Sequence, residues 1–87
     1  MIRTETILDR FFTMEAAEAS LKESGYQAYP SDDHETHYRH PSTMLAGLRG
    51  ETPYWPEWRV VRKQMDGQFA VIRVVNRHWR DFAGSQA

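Results

Sequence analysis

The chain has 87 residues, 40% hydrophobic, 13% aromatic and 26% charged, with no cysteine and a net charge of −1. A chain this short buries only about 60 to 65% of its unfolded surface, enough for one modest core, which excludes a second domain and a deep substrate cleft. The lack of cysteine excludes a disulfide framework and a thiolate zinc site and favours a reducing, cytoplasmic setting.

The first stretch, MIRTETILDRFF, carries Arg3, Glu5, Asp9 and Arg10, so it lacks the apolar core of a signal peptide. No apolar run approaches the roughly 20 residues a membrane span needs. Residues 4–12 are expected to form a first strand. Thr13 is then a good N-cap for the helix MEAAEASLKES, Glu15 meets the positive end of its dipole, and Gly25 stands where a left-handed residue closes it. Met14, Ala17, Leu21 and Ser24 share one narrow face of this amphipathic helix, with Glu18 one turn before Lys22. Phe12 is expected to pack on Ala17, and Tyr26 on Leu21. Residues 26–29 form a short second strand ended by Pro30, and residues 30–41 a long polar loop. Residues 42–49, STMLAGLR, fit either a short helix capped by Ser42 or a strand, because the apolar run is too short for its period to decide. ETPYWPEW, with two prolines, leads into the next element as a rigid non-helical segment.

That next element is a hairpin. WRVVRKQ and QFAVIRVV are rich in β-branched and aromatic residues, and Asp66-Gly67 between them signals a two-residue type I′ turn. Such a turn pairs Gln64 with Phe69, Arg62 with Val71, Val60 with Arg73 and Trp58 with Val75 on one face. It places Lys63 with Ala70, Val61 with Ile72 and Arg59 with Val74 on the other. Both faces then read as half apolar and half basic, which predicts either that the helix covers one and something else the other, or that one is a working surface. The predicted fold is α+β, a single domain over residues 1–87: one amphipathic helix packed on a small antiparallel sheet of three to four strands, in an order close to β-α-β-β-β.

SDDHETHYRH, residues 31–40, is the densest polar chemistry in the chain. His34, His37 and His40 are the candidate metal ligands, with Asp32, Asp33 and Glu35 beside them. A spacing of three diverges by about 60° per step on a helix, and on a strand it alternates faces. Neither geometry closes a site on one ion, so the expectation is a solvated loop with no cofactor. No glycine-rich phosphate loop and no nucleophilic-serine motif is present, so no catalytic residue is assigned and the chain is not expected to be an enzyme.

Trp55, Trp58, Arg62, Arg73 and Trp79 form the candidate partner-binding set, since tryptophan and arginine are favoured anchors of protein interfaces. Rings and guanidinium groups on one sheet face also suit single-stranded nucleic acid. Against bulk nucleic-acid affinity stands the charge distribution. Residues 1–51 hold five basic and nine acidic side chains, a net −4, and the remainder six basic and three acidic, a net +3.

FFTMEAAEASLKESGY resembles short accessory proteins of bacteriophages and mobile elements: an aromatic residue, a capping threonine, an alanine-rich helix and a closing Gly-Tyr before a small antiparallel sheet. The resemblance implies a cytoplasmic protein that covers a partner's surface, as inhibitors of host defence such as anti-CRISPR proteins do. The leading expectation is therefore a non-enzymatic interaction module for a protein or nucleoprotein partner. A homodimer would be the simplest cover for the second hairpin face, and the alternatives are a single-stranded nucleic-acid binder or a histidine-carboxylate metal protein.

Overall fold

The structure, a computed structural model, describes residues 2–30, 35–46 and 53–77. In chain order they form β1 (Ile2–Phe11), α1 (Met14–Glu23), β2 (Gln27–Pro30), β3 (Thr36–Arg39), a 3-10 turn (Pro41–Thr43), β4 (Leu45–Ala46), β5 (Pro53–Tyr54), β6 (Glu57–Lys63) and β7 (Phe69–Arg77). The main sheet has five antiparallel strands in the order β1-β7-β6-β3-β2, and β4 pairs with β5 apart from it. The fold is thus α+β, with five strands in the main sheet where three to four were expected. The additional strand is β3, built from Thr36-His37-Tyr38-Arg39 inside the stretch expected to be a loop. Of residues 42–49, the first two belong to the 3-10 turn and 45–46 to β4, while 47–49 lie outside the described residues.

The helix ends follow their local chemistry. The Thr13 hydroxyl accepts from the Ala16 amide at 3.1 Å, as an N-cap should. At the other end the amide of Gly25 donates to Lys22 O and that of Tyr26 to Leu21 O, both at 3.0 Å. This is a Schellman closure, with Gly25 at φ 90°. Ala17 and Leu21 are buried against Tyr38 and Val71, with Phe11, Tyr26, Val61 and Phe69 packed around them. Phe12 is 84% exposed, so the staple expected from it is supplied by Phe11 instead.

A β-bulge explains the exchange. Ile7 pairs with Ile72, but Asp9 pairs with Val71 and Phe11 with Phe69, so Leu8 is the extra residue. One extra residue reverses which side each later side chain takes. Phe11 therefore joins Phe69 and Val71 on the helix side, whereas Ile7 joins Ile72 on the opposite side.

The hairpin register also differs from expectation by one residue. Gly67 N donates to Gln64 O at 3.0 Å and Gln64 N to Gln68 O at 2.7 Å, and Gly67 has φ 87°. Met65, Asp66 and Gly67 thus form a three-residue loop, a type I turn closed by a left-handed glycine, not a two-residue type I′ turn. The Asp66 carboxylate supports it by accepting from the Gln68 amide at 2.9 Å. Trp58 now faces Val74, Val60 faces Ile72 and Arg62 faces Ala70. The apolar side chains sort cleanly: Trp58, Val60, Ala70, Ile72 and Val74 bury together on one side, and Val61, Phe69 and Val71 meet the helix on the other. Both hairpin sides therefore carry buried side chains.

Candidate functional site

The residues expected to bind a partner are mostly engaged inside the protein. Trp58 is 8% exposed and stacks on His37, with ring centroids 4.8 Å apart at 20°. Its indole Nε1 is buried without an acceptor. Arg73 lies directly opposite Arg59 across β6 and β7, an unfavourable like-charge pair. The conflict is relieved because Arg73 turns to Glu57 at 2.7 Å and Arg59 turns onto the Tyr26 ring at 5.2 Å. Trp55 is half-buried, and its Nε1 donates to His40 O at 3.1 Å. Trp79 lies outside the described residues. With the corrected register both hairpin sides hold core side chains, so the hairpin itself no longer calls for a working surface or for a second copy as its simplest cover.

Arg62 is the centre of an ion network. It donates to Glu5 at 3.0 and 3.2 Å and to Glu35 at 3.0 to 3.1 Å, while Arg3 holds Glu5 at 3.1 Å. Glu5 belongs to β1 and Glu35 precedes β3, so the network spans the sheet on the side of the Trp58–Val60–Ile72 cluster. The hydrogen bonds from Arg62 pull the Glu5 carboxyl below its ordinary value of 4.5, with Arg3 adding to the effect and burial opposing it. The two carboxylates in turn raise Arg62 further above its already high value. On the helix side, burial pushes the Tyr38 hydroxyl above 10.0, and the nearby negative charge of Glu18 adds to it.

The histidines divide. His34 lies outside the described residues. His37, 7% exposed, is on the Trp58 side of β3, whereas His40 packs edge-on against Tyr26, centroids 5.0 Å apart, on the helix side. Among the described residues no group of three His, Cys, Asp or Glu could hold a metal ion. The expectation of solvated imidazoles is also corrected, because burying His37 against Trp58 removes apolar ring area from water. His40 caps the 3-10 turn. The Ser42 amide donates to His40 Nδ1 at 3.0 Å, and the Ser42 hydroxyl lies 2.7 Å from the same atom. A nitrogen that accepts a backbone N–H carries its lone pair inward, which fixes the neutral tautomer with hydrogen on Nε2. Nε2 is directed at Gly25, where a Cβ would come within 2.8 Å of it. The Ser42–His40 contacts cap the 3-10 turn.

A different cluster emerges where β2, β3 and the start of β6 meet. Among the described residues Arg3, Arg10, Arg62 and Arg73 each reach a carboxylate. Arg39 and Arg59 reach none and lie over aromatic rings. The Arg39 guanidinium sits 5.4 Å from the Tyr29 centroid and 5.4 Å from that of Trp55, with the two rings 6.3 Å apart. Such contacts contribute about 0.5–1 kcal/mol each at exposed sites. Arg39 Nε is buried without an acceptor, which costs about 1–3 kcal/mol. Among the described residues the two terminal nitrogens bond no protein group. On the other side of the sheet, Arg59, Tyr26 and His40 line an open groove of about 470 Å³ together with Ser20, Ser24 and Asp9. The Trp55–His40 hydrogen bond joins the two sides.

Tyr29 and Arg39 were missed because the polar run 31–40 read as one loop. The usable signal was YP and THYR as two short strands: once they pair, Gln27 faces Arg39 and Tyr29 faces His37, which places Tyr29 diagonal to Arg39. Comparison with protein-family models, with curated protein sequences and with solved structures finds no match for this chain.

Proposed function

We propose that the protein is a non-enzymatic interaction module that binds a protein partner through the surface built by Tyr29, Arg39 and Trp55. The observation that carries this reading is Arg39: a cation set against two adjoining rings, with no carboxylate among the described residues to balance it and its Nε buried without an acceptor. An arrangement that costs the free protein stability is most economically explained by a partner that completes it. Tyrosine, tryptophan and arginine are also the residues in which binding energy concentrates. β2 beside them is wholly exposed and is an outer strand of the sheet, which leaves room for a partner to approach.

Single-stranded nucleic acid fits less well. Bases need free ring faces, and the guanidinium already occupies one face of each ring. Covering a partner's surface is also the mode implied by the resemblance to phage accessory proteins, inhibitors of host defence among them, and it needs no catalytic group. The test is native mass spectrometry of untagged protein purified from its own host, as wild type and as the Tyr29→Ala, Trp55→Ala double variant. A macromolecular adduct in the wild type that the folded variant lacks supports the reading. A bare chain in both, or an adduct unaffected by the substitutions, overturns it. A labelled oligothymidylate retarded at low salt by the wild type and not by the variant would replace the protein partner with nucleic acid.

A further inference from the structure

We propose that Arg39 is the anchor for a single carboxylate, an aspartate or glutamate side chain in an acidic segment of the partner. The inference rests on the interaction reading above and specifies its chemistry. Arginine binds carboxylates through either of two edges, Nε with one terminal nitrogen or the two terminal nitrogens together. Here the first edge is closed, since Nε is buried. The second meets no acceptor among the described residues and lies beside Tyr29 and Trp55, two adjoining rings. The open edge offers two parallel N–H donors, matching the two oxygens of one planar carboxylate.

Charge sets the stoichiometry. No second cation stands on this side of the sheet without its own carboxylate among the described residues: Arg3 and Arg62 are paired with Glu5 and Glu35, and Arg59 lies on the helix side over Tyr26. One monoanion neutralises the slot, whereas a phosphate dianion would carry an uncompensated charge into it. The rings hold the guanidinium in place before anything binds, so little side-chain freedom is left to lose on binding.

The probes are two acetylated, amidated peptides, Val-Thr-Glu-Thr-Val and its glutamine counterpart, titrated into the full 15N-labelled chain. The readouts are the Arg39 Nε–H and Trp55 indole N–H resonances. The glutamate peptide should shift both, leave the Nε–H of Arg73 in place, and bind at least about tenfold more tightly than the glutamine peptide, as expected when one partner of a charge-assisted pair is lost. Arg39→Lys keeps the charge and removes the fork, and should weaken the glutamate peptide by a similar factor. Should that variant not fold, the two-peptide comparison in the wild type stands alone. Equal binding of the two peptides overturns the proposal, as does an unaffected Arg39→Lys variant, the absence of any response, or inorganic phosphate shifting the same resonances more strongly than the glutamate peptide. A partner adduct that depends on Tyr29 and Trp55 without a peptide response would leave the interaction reading standing and overturn this one alone.

Discussion

Replacing Gly25 by alanine should destabilise the protein through two separable effects. The first is backbone strain. Gly25 has φ 90°, where an L-residue costs about 1–2 kcal/mol. The second is steric, because the new Cβ would lie 2.8 Å from His40 Nε2 and 3.3 Å from His40 Cδ2. The ring cannot simply swing away, being held at Nδ1 by the Ser42 amide and at its edge by Tyr26. Forcing such a contact typically adds about 1–3 kcal/mol. The sum is about 2–5 kcal/mol, and at about 4–8 °C per kcal/mol for a domain of this size Tm should fall by at least about 8 °C. Gly67 supplies the internal control. Its φ of 87° is nearly the same, but a Cβ there meets nothing within 4 Å, so Gly67→Ala should show the strain alone, about 5–15 °C. The assay is thermal unfolding of both variants in wild-type and His40→Ala backgrounds. Removing the His40 ring should bring the cost at Gly25 down to that at Gly67. Equal losses at the two glycines in the wild type, or a Gly25 cost unchanged by His40→Ala, would refute the packing argument.

Arg62→Met should lower stability by about 1 kcal/mol, since its two ion pairs are partly exposed and such pairs contribute about 0.2–1 kcal/mol each. Denaturant melts at 0.1 M and 1 M NaCl should show the difference shrinking as the Debye length falls to about 3 Å, and a difference independent of salt would contradict the electrostatic origin. Glu5 is held below its ordinary value by Arg62, so the unfolded chain takes up its proton first. The stability it contributes is complete at neutral pH and is lost as pH falls from about 4.5 towards the lower folded value, so Glu5→Gln should flatten that acid limb in pH-dependent melts. Tyr38 works in the opposite direction: its folded value lies above 10.0, so its contribution is full below pH 10 and is lost as pH rises through the folded value. Tyr38→Phe should make the protein less sensitive to alkaline unfolding, and an identical alkaline limb would show that the hydroxyl does not govern it.

The helix and its caps were legible because their signals are local. Thr13, Gly25 and Tyr26 each act within five residues of where they stand, and each takes the role its neighbours dictate. The same holds for the existence of the β6–β7 hairpin. What was not legible depends on single-residue insertions that composition does not mark. Leu8 is an unexceptional residue in an alternating stretch, yet it makes the bulge that sends Phe11 to the helix side and leaves Phe12 in water. β3 was hidden for another reason: Thr36, His37 and Arg39 are polar by type, and besides Tyr38 in the helix-side core it is the contacts of His37 with Trp58 and of Arg39 with Tyr29 and Trp55 that give a strand this short its packing.

The turn at 65–67 shows how a local error becomes a functional one. Asp-Gly serves both a two-residue type I′ turn and, with Met65 before it, a three-residue turn closed by the same glycine. The two differ by one residue in register, and because strand side chains alternate, that residue decides which arginine stands beside which valine. In the two-residue register Val60 faces Arg73 and Arg62 faces Val71, so each hairpin side looks like a mixed basic and apolar surface waiting for a partner. In the three-residue register Val60 faces Ile72 and Trp58 faces Val74, the mixture resolves into core, and Arg62 is free to meet Glu5 and Glu35. Three arginines of the hairpin then account for themselves: Arg62 and Arg73 by carboxylates, and Arg59 by the Tyr26 ring that lets it turn away from Arg73. Arg39 is the exception on the Trp58 side of the sheet. It lies on a strand that its polar sequence concealed, against two adjoining rings and with no anion among the described residues, so the surface open to a partner is the β2–β3 edge and not the hairpin.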